Sequence, residues 1–238
     1  MINLMAKLAA NAYLDGKEAK VIFRSMGFTH KFFEVDGAQC HAVWNKEMYV
    51  LCFRGTEPDE LSDILADLNA WPRGAMTHGL VHSGFVKECN KLWEQLVAHR
   101  SKHLKKSFYI TGHSLGAAMA TIACSRFEEN ETVVQLTTFG SPRVGTRKFV
   151  KNIQTPHLRV VNNNDIVTRV PLWLMGYKHH GFLTYINFYG NIRTLTFWQM
   201  AKDKWRGWRS SAIDGVKDHG MDNYIKHILE MDPSLIYH

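Results

Sequence analysis

Five residues near the middle of this chain, Gly112-His113-Ser114-Leu115-Gly116, restrict its fold more than any other stretch. The four residues before them, Phe108-Tyr109-Ile110-Thr111, read as a buried strand, and Leu115-Gly116-Ala117-Ala118-Met119-Ala120 opens a helix of mostly small residues. Ser114 therefore belongs at a sharp strand-to-helix turn. Such a turn strains the serine backbone, and a neighbouring side chain would obstruct it. Glycine at 112 and 116 removes the obstruction. The small residues that follow let the helix press closely on the sheet. Its amino terminus aims amide hydrogens and positive dipole at the serine, where an oxyanion would be stabilised. A chain built around this turn needs a strand on one side of it and a covering helix on the other.

The flanking sequence agrees. Apolar spacing predicts a helix around Leu4–Ala12 that stops at Asp15-Gly16, and a short second one over Lys17–Met26. Strands are expected at Thr29–Val35, Ala38–Trp44 and Met48–Phe53. The Asp36-Gly37 pair between the first two is a hairpin signal, so the amino-terminal sheet edge should be antiparallel. Helix over Gly84–Leu104, strand at Ser107–Thr111, helix from Leu115 to about Glu128, and strands at Val133–Phe139 and Leu158–Val161 follow. This alternation predicts an α/β fold, with a mostly parallel sheet and helices on both faces. No repeat or linker divides residues 1–238, so a single domain is expected. No apolar run approaches the roughly eighteen residues of a transmembrane helix.

Cys40, Cys52, Cys89 and Cys124 form no paired motif and are expected as buried, reduced thiols. A formal charge of +7 raises a nucleic-acid partner, but the basic residues are spread along the chain and no nucleic-acid motif accompanies them, so none is expected. The densest basic group, Lys202, Lys204, Arg206 and Arg209, is interleaved with Trp198, Trp205 and Trp208. That mix suits an anionic lipid surface; the preferred reading is a solvated helix whose tryptophans pack inward. The start, Met1–Leu8, lacks the features of a signal peptide, and a cytoplasmic location is expected, with release by another route left open.

A serine hydroxyl is a weak nucleophile until a base takes its proton, and at such turns the partners follow in the order acid, then histidine. Leu158–Val161 is followed by the loop Asn162-Asn163-Asn164-Asp165, which makes Asp165 the expected acid. Of thirteen histidines, five follow it: His179, His180, His219, His227 and His238. His238 ends the sequence, and His227 falls within a helix running Tyr224–Leu229. His219 lies in a loop just before that final helix, where an imidazole can reach the turn. His219 is the expected base, and His180 is the alternative.

With these residues in place the chain resembles the class 3 lipases, the fungal triacylglycerol lipase family, over nearly its whole length. Phe53-Arg54-Gly55-Thr56 looks like the family's oxyanion motif, and His82-Ser83-Gly84-Phe85 like the segment after its lid. Gly112–Gly116 looks like its nucleophile elbow, and Phe139-Gly140-Ser141-Pro142-Arg143-Val144-Gly145 like its next strand and loop. Asn164-Asp165-Ile166-Val167 and His219 with Tyr224 look like its acid and histidine segments. The resemblance implies an α/β-hydrolase fold and a Ser114-His219-Asp165 triad. It also implies an oxyanion hole from the N–H groups of Thr56 and Leu115, each donor contributing on the order of 3 kcal/mol. Carboxylic, acylglycerol-type esters are the implied substrates, with phospholipase A1 or short-chain carboxylesterase action as alternatives and a catalytically silent binding protein further behind. No metal or organic cofactor is implied. The same resemblance implies a lid, and over residues 59–70 Leu61, Ile64, Leu65 and Leu68 make one apolar helix face suited to substrate or a transient lipid interface. The chain departs from the family pattern in having Ile64 where many members carry a lid tryptophan, and Ala117 where a second glycine is common.

Overall fold

A computed structural model describes residues 1–56, 73–74, 78–187, 189–193 and 214–230. The expected lid, with Leu61, Ile64, Leu65 and Leu68, and the basic, tryptophan-rich group at 198–209 lie outside the described residues. The chain opens with helices α1 (Ile2–Asn11) and α2 (Gly16–Ser25), the latter capped by Asp15, whose carboxylate accepts the N–H groups of Lys17 and Glu18. Strands β1 (Thr29–Val35), β2 (Ala38–Trp44) and β3 (Met48–Phe53) form an antiparallel meander. Its first turn is Asp36-Gly37, both at positive φ (47° and 82°), as a two-residue hairpin between right-twisted strands requires.

After β4 (Arg73–Gly74) and β5 (Leu80–Val81), the chain alternates. It runs through α3 (Ser83–Arg100), β6 (Ser107–His113), α4 (Leu115–Phe127), β7 (Val133–Phe139), β8 (Gly145–Thr146), α5 (Arg147–Asn152) and β9 (His157–Asn162). It then adds β10 (Tyr177–Lys178), β11 (Phe182–Ile186), β12 (Ile192–Arg193), α6 (Asp214–Lys217) and α7 (Met221–Leu229). Among the described residues the main sheet has the order β1-β2-β3-β6-β7-β9-β11-β12. Strands β3 to β11 in that order are parallel, and both edges are antiparallel. The second antiparallel edge was not expected, because β12 is two residues long and too short to carry a period.

The sheet grows in one direction from β3 to β9, and parallel crossovers are right-handed. The described helices between these strands must then lie on one face, and they do. Phe85, Cys89, Leu92 and Leu96 of α3, Ala118, Ala120 and Ile122 of α4, and Phe149 of α5 share one core with Leu51, Phe53 and Ile110 of the sheet. The opposite face would stay bare without the ends of the described chain. Met5, Leu8 and Ala9 of α1, Phe23 of α2 and Tyr224 and Ile228 of α7 cover Val50, Cys52, Phe139, Val160 and Ile186. Strand β3 shows the alternation that divides the two cores, with Leu51 and Phe53 on one side and Val50 and Cys52 on the other. Each fully buried large side chain contributes about 1.5–3 kcal/mol.

Helix α3 stops four residues short of the expected Leu104. The Arg100 guanidinium donates to the carbonyls of His103 and Lys106 and to Glu131, and residues 101–103 tighten into a 3-10 turn. All four cysteines are buried and unbridged. Among the described residues no helix is long and apolar enough to cross a membrane.

Candidate active site

Ser114 sits between β6 and α4 at φ 57° and ψ −128°, a region that L-residues rarely occupy. Its N–H donates to the Phe139 carbonyl (3.1 Å), which pins the turn to the neighbouring strand. The glycines act as the sequence suggested. A side chain at Gly112 would meet the Gly116 carbonyl at 2.5 Å, and one at Gly116 would collide with the backbone of Phe53 and Arg54. Gly55 is as constrained, since a Cβ there would meet the His113 carbonyl at 2.5 Å and Ser114 Cβ at 3.0 Å. Thr56, next to it, is thereby brought beside the turn. Leu115 is the first residue of α4, so its N–H has no partner within the helix. Thr56 and Leu115 both line one cleft, together with Gln39, Arg54, Glu88, Lys91 and Met119.

Three of the expected residues converge. His219 Nε2 lies 2.8 Å from Ser114 Oγ, and its Nδ1 lies 2.9 and 3.0 Å from the two oxygens of Asp165. His180, the alternative base, is elsewhere, with its Nδ1 3.0 Å from His157 Nδ1, and His179 meets the Thr168 carbonyl. Burial of Asp165 by itself raises its pKa. The neighbouring His219, with the hydrogen bond from its Nδ1, and the hydroxyl of Tyr224 outweigh that and hold the carboxyl below its ordinary value. An ionised Asp165 only accepts, so His219 carries its proton on Nδ1 and presents Nε2 as an acceptor to the Ser114 hydroxyl.

A second set of contacts holds the acid and the imidazole in place. Tyr224, on α7, donates its hydroxyl to Asp165 Oδ2 (2.5 Å) and accepts the Asn162 N–H (3.0 Å). Val167 N–H donates to Asp165 Oδ1 (2.9 Å). Asp218, next to His219, accepts from Asn163 Nδ2 and Asn164 N, which ties the histidine loop to the acid loop. Gly140, at φ 57°, leaves room for both, since a Cβ there would lie 2.8 Å from Asp165 Oδ2 and 2.9 Å from the His219 ring.

His113, the first variable position of the five-residue motif, stacks on His219 with ring centroids 4.5 Å apart. Burial, then the neighbouring His219, lowers its pKa to about 3, so it is neutral. Its Nε2 faces the His219 carbonyl at 2.7 Å, and a carbonyl only accepts; Nε2 therefore carries the proton. Nδ1 then accepts the Tyr13 hydroxyl at 2.6 Å. Sequence reasoning passed over Tyr13 and His113. A contact spanning a hundred residues leaves no local pattern, although a histidine inside the turn motif marked His113 as a neighbour of the serine.

A parallel sheet with a strained serine at the end of β6, an acid after β9 and a histidine before the last described helix defines the α/β-hydrolase fold. The chain belongs to the class 3 lipase family, whose sequence pattern, Lipase (class 3), matches residues 50–175. It is 28% identical over 233 residues to Toxin TseL of Vibrio cholerae serotype O1, covering 74% of this chain and 36% of that protein. It is 34% identical over 110 residues to Secreted mono- and diacylglycerol lipase 1 of Fusarium solani, covering 42% of this chain and 32% of that one. Among solved structures it superposes on lipase II from Rhizopus niveus with a TM-score of 0.67 at 21% identity, covering 78% of this chain and 79% of the other. The chain thus spans about a third of the length of these two curated relatives.

Proposed function

We propose that this protein hydrolyses carboxylic esters of lipids by acyl transfer through Ser114. The observation that carries the reading is the position of His219, with Nε2 on Ser114 Oγ and Nδ1 on the carboxylate of Asp165. In the first step Ser114 Oγ attacks the ester carbonyl carbon, and its proton passes to His219 Nε2. The carbonyl oxygen becomes an oxyanion held by the N–H groups of Leu115 and Thr56, with the Thr56 hydroxyl in support. Collapse breaks the bond to the alcohol oxygen, which takes the proton from His219. Water, deprotonated by the same nitrogen, then attacks the acyl carbon, and collapse breaks its bond to Ser114 Oγ, which takes the proton back from His219 as the acid leaves. Asp165 accepts throughout and stabilises the transient imidazolium. His113, neutral beside it, adds no competing charge.

The family and the name of the Fusarium relative support an acyl lipid as substrate. The cleft beside Thr56 and Leu115 is lined by Gln39, Arg54, Glu88 and Lys91, which suits a polar alcohol or head group and favours phospholipase A1 action as the second reading. A panel of p-nitrophenyl esters of increasing chain length, emulsified acylglycerols and phosphatidylcholine separates these substrates. Ser114→Ala is expected to abolish turnover of p-nitrophenyl butyrate, a fall of about six powers of ten. Residual turnover near the parent level in purified Ser114→Ala would remove the assignment. A fluorophosphonate probe that labels the parent at Ser114 rules out a silent binding protein.

A further inference from the structure

Seven residues beyond Asp165 the chain carries three consecutive large apolar residues on its surface. Leu172, Trp173 and Leu174 are 49%, 58% and 72% exposed and form the tip of a short 3-10 turn over 173–175. Isolated exposed apolar residues need no explanation, but three in a row, one of them tryptophan, do. The tip is held on a rigid base. Arg143 donates to the carbonyls of Arg169 and Pro171 on its near side, and Gly176, at φ 87°, turns the chain back into β10 on its far side. Strand β10 pairs with β8, Tyr177 opposite Thr146, which brings exposed Arg147 and Lys148 to the same end of the molecule.

The surround of the tip is basic. Lys178 Nζ sits 5.7 Å from the Trp173 ring centroid, and Arg143, Arg147, Lys148 and Arg169 lie on the two segments that support it. Neither residues 141–148 nor residues 166–178 contain an acidic side chain. An apolar tip with cations around its base matches one partner, a bilayer whose surface carries anionic head groups. The side chains enter the acyl boundary, tryptophan sits at head-group level, and lysine and arginine meet the phosphates.

We propose that Leu172–Leu174 with Lys178 and Arg143 form a docking element for anionic lipid bilayers, separate from the expected lid at 59–70. Because the tip continues the loop that holds Asp165, docking sets the end of the sheet that carries Ser114 against the membrane. This rests on the lipid-ester reading above and adds to it the surface that finds the substrate.

The test uses the full chain carrying Ser114→Ala, so that vesicles stay intact, and flotation with vesicles of phosphatidylcholine alone or with one-quarter phosphatidylglycerol. The parent is expected to float with the anionic vesicles at low salt, at least tenfold more than with neutral ones. Trp173→Ser with Leu174→Ser should reduce that partitioning at least tenfold, and Lys178→Gln alone two- to fivefold, with a shallower salt dependence. In the catalytically intact background these variants should turn over p-nitrophenyl butyrate within twofold of the parent, which reports correct folding. The proposal is overturned if the parent does not float, if the Lys178→Gln and double variants float as the parent does, or if the tip variants instead dissolve a dimer seen by light scattering. Absence of p-nitrophenyl butyrate turnover in the chain with Ser114 intact would remove the catalytic reading and leave the flotation result to decide the docking one.

Discussion

Among the described residues, two arrangements on neighbouring strands look alike at the level of distances. At one end of the sheet, Ser114 Oγ lies 2.8 Å from His219 Nε2, with His113 stacked beside that ring. Inside the sheet, Thr138 Oγ1 lies 2.7 Å from His157 Nε2, with His180 stacked at 5.1 Å between centroids. Each is a buried hydroxyl, an imidazole and a second imidazole. They differ in what meets the far nitrogen. His219 Nδ1 faces the carboxylate of Asp165, so positive charge on its ring is balanced. His157 Nδ1 faces another histidine, and burial, then His180 and Arg159, push its pKa well below the usual value. The hydroxyls differ too, since Ser114 is held in a strained turn and Thr138 is a regular residue of β7. A short hydroxyl–imidazole distance is therefore no sign of catalysis. The carboxylate behind the ring and the strained turn in front of it are.

The comparison can be broken most directly at the carboxylate. Asp165→Asn should lower kcat for p-nitrophenyl butyrate about ten-thousandfold, since the amide favours the wrong imidazole tautomer. His180→Ala should leave kcat/KM within threefold, and a comparable loss there would sink the distinction. Tyr224→Phe tests the support of the carboxylate. It should cost roughly tenfold in kcat, the size of one charge-assisted hydrogen bond, with KM little changed.

Acid sharpens the contrast through stability. A buried histidine with a lowered folded pKa gives the unfolded state more bound protons below pH 6.5. Stability is then fully present above about that pH and is lost as pH falls toward the folded pKa, at up to about 1.4 kcal/mol per pH unit for each such group. Buried His41 and His113, at about 3, and His157 act in this direction, and half-buried His30, at about 4, does so more weakly because water screens it. Urea midpoints taken from pH 7 to 5 should fall steeply, and His157→Gln should flatten the slope by about one proton. A slope identical to the parent's would contradict the neutral state of His157. The smallest effect on turnover belongs to Thr138→Val, which should lose about 1–3 kcal/mol in urea unfolding and nothing measurable in kcat/KM.

Much of this architecture is legible in the amino-acid sequence. β1, β2, β3 and β7 begin and end at the expected residues, because alternating apolar runs bounded by Asp-Gly and Gly-Ser-Pro leave little choice. Chain order and loop position drew Asp165 and His219 toward Ser114. The small sheet of β4, β5, β8 and β10 was not legible, because two-residue strands carry no period. Nor was the Tyr13–His113–His219 chain of contacts, which joins the first helix region, the turn and the loop before α7 through tertiary structure alone. Arg100 shortened α3 by capturing carbonyls, a competition between side chain and helix that periodicity does not register.

Ser114 is 1% exposed. With the nucleophilic role proposed for it, so hidden a hydroxyl turns its own labelling into a clock. Under excess fluorophosphonate the labelling rate in plain buffer counts how often the site uncovers, and the rise on adding lipid vesicles or a detergent measures how far an interface holds it open.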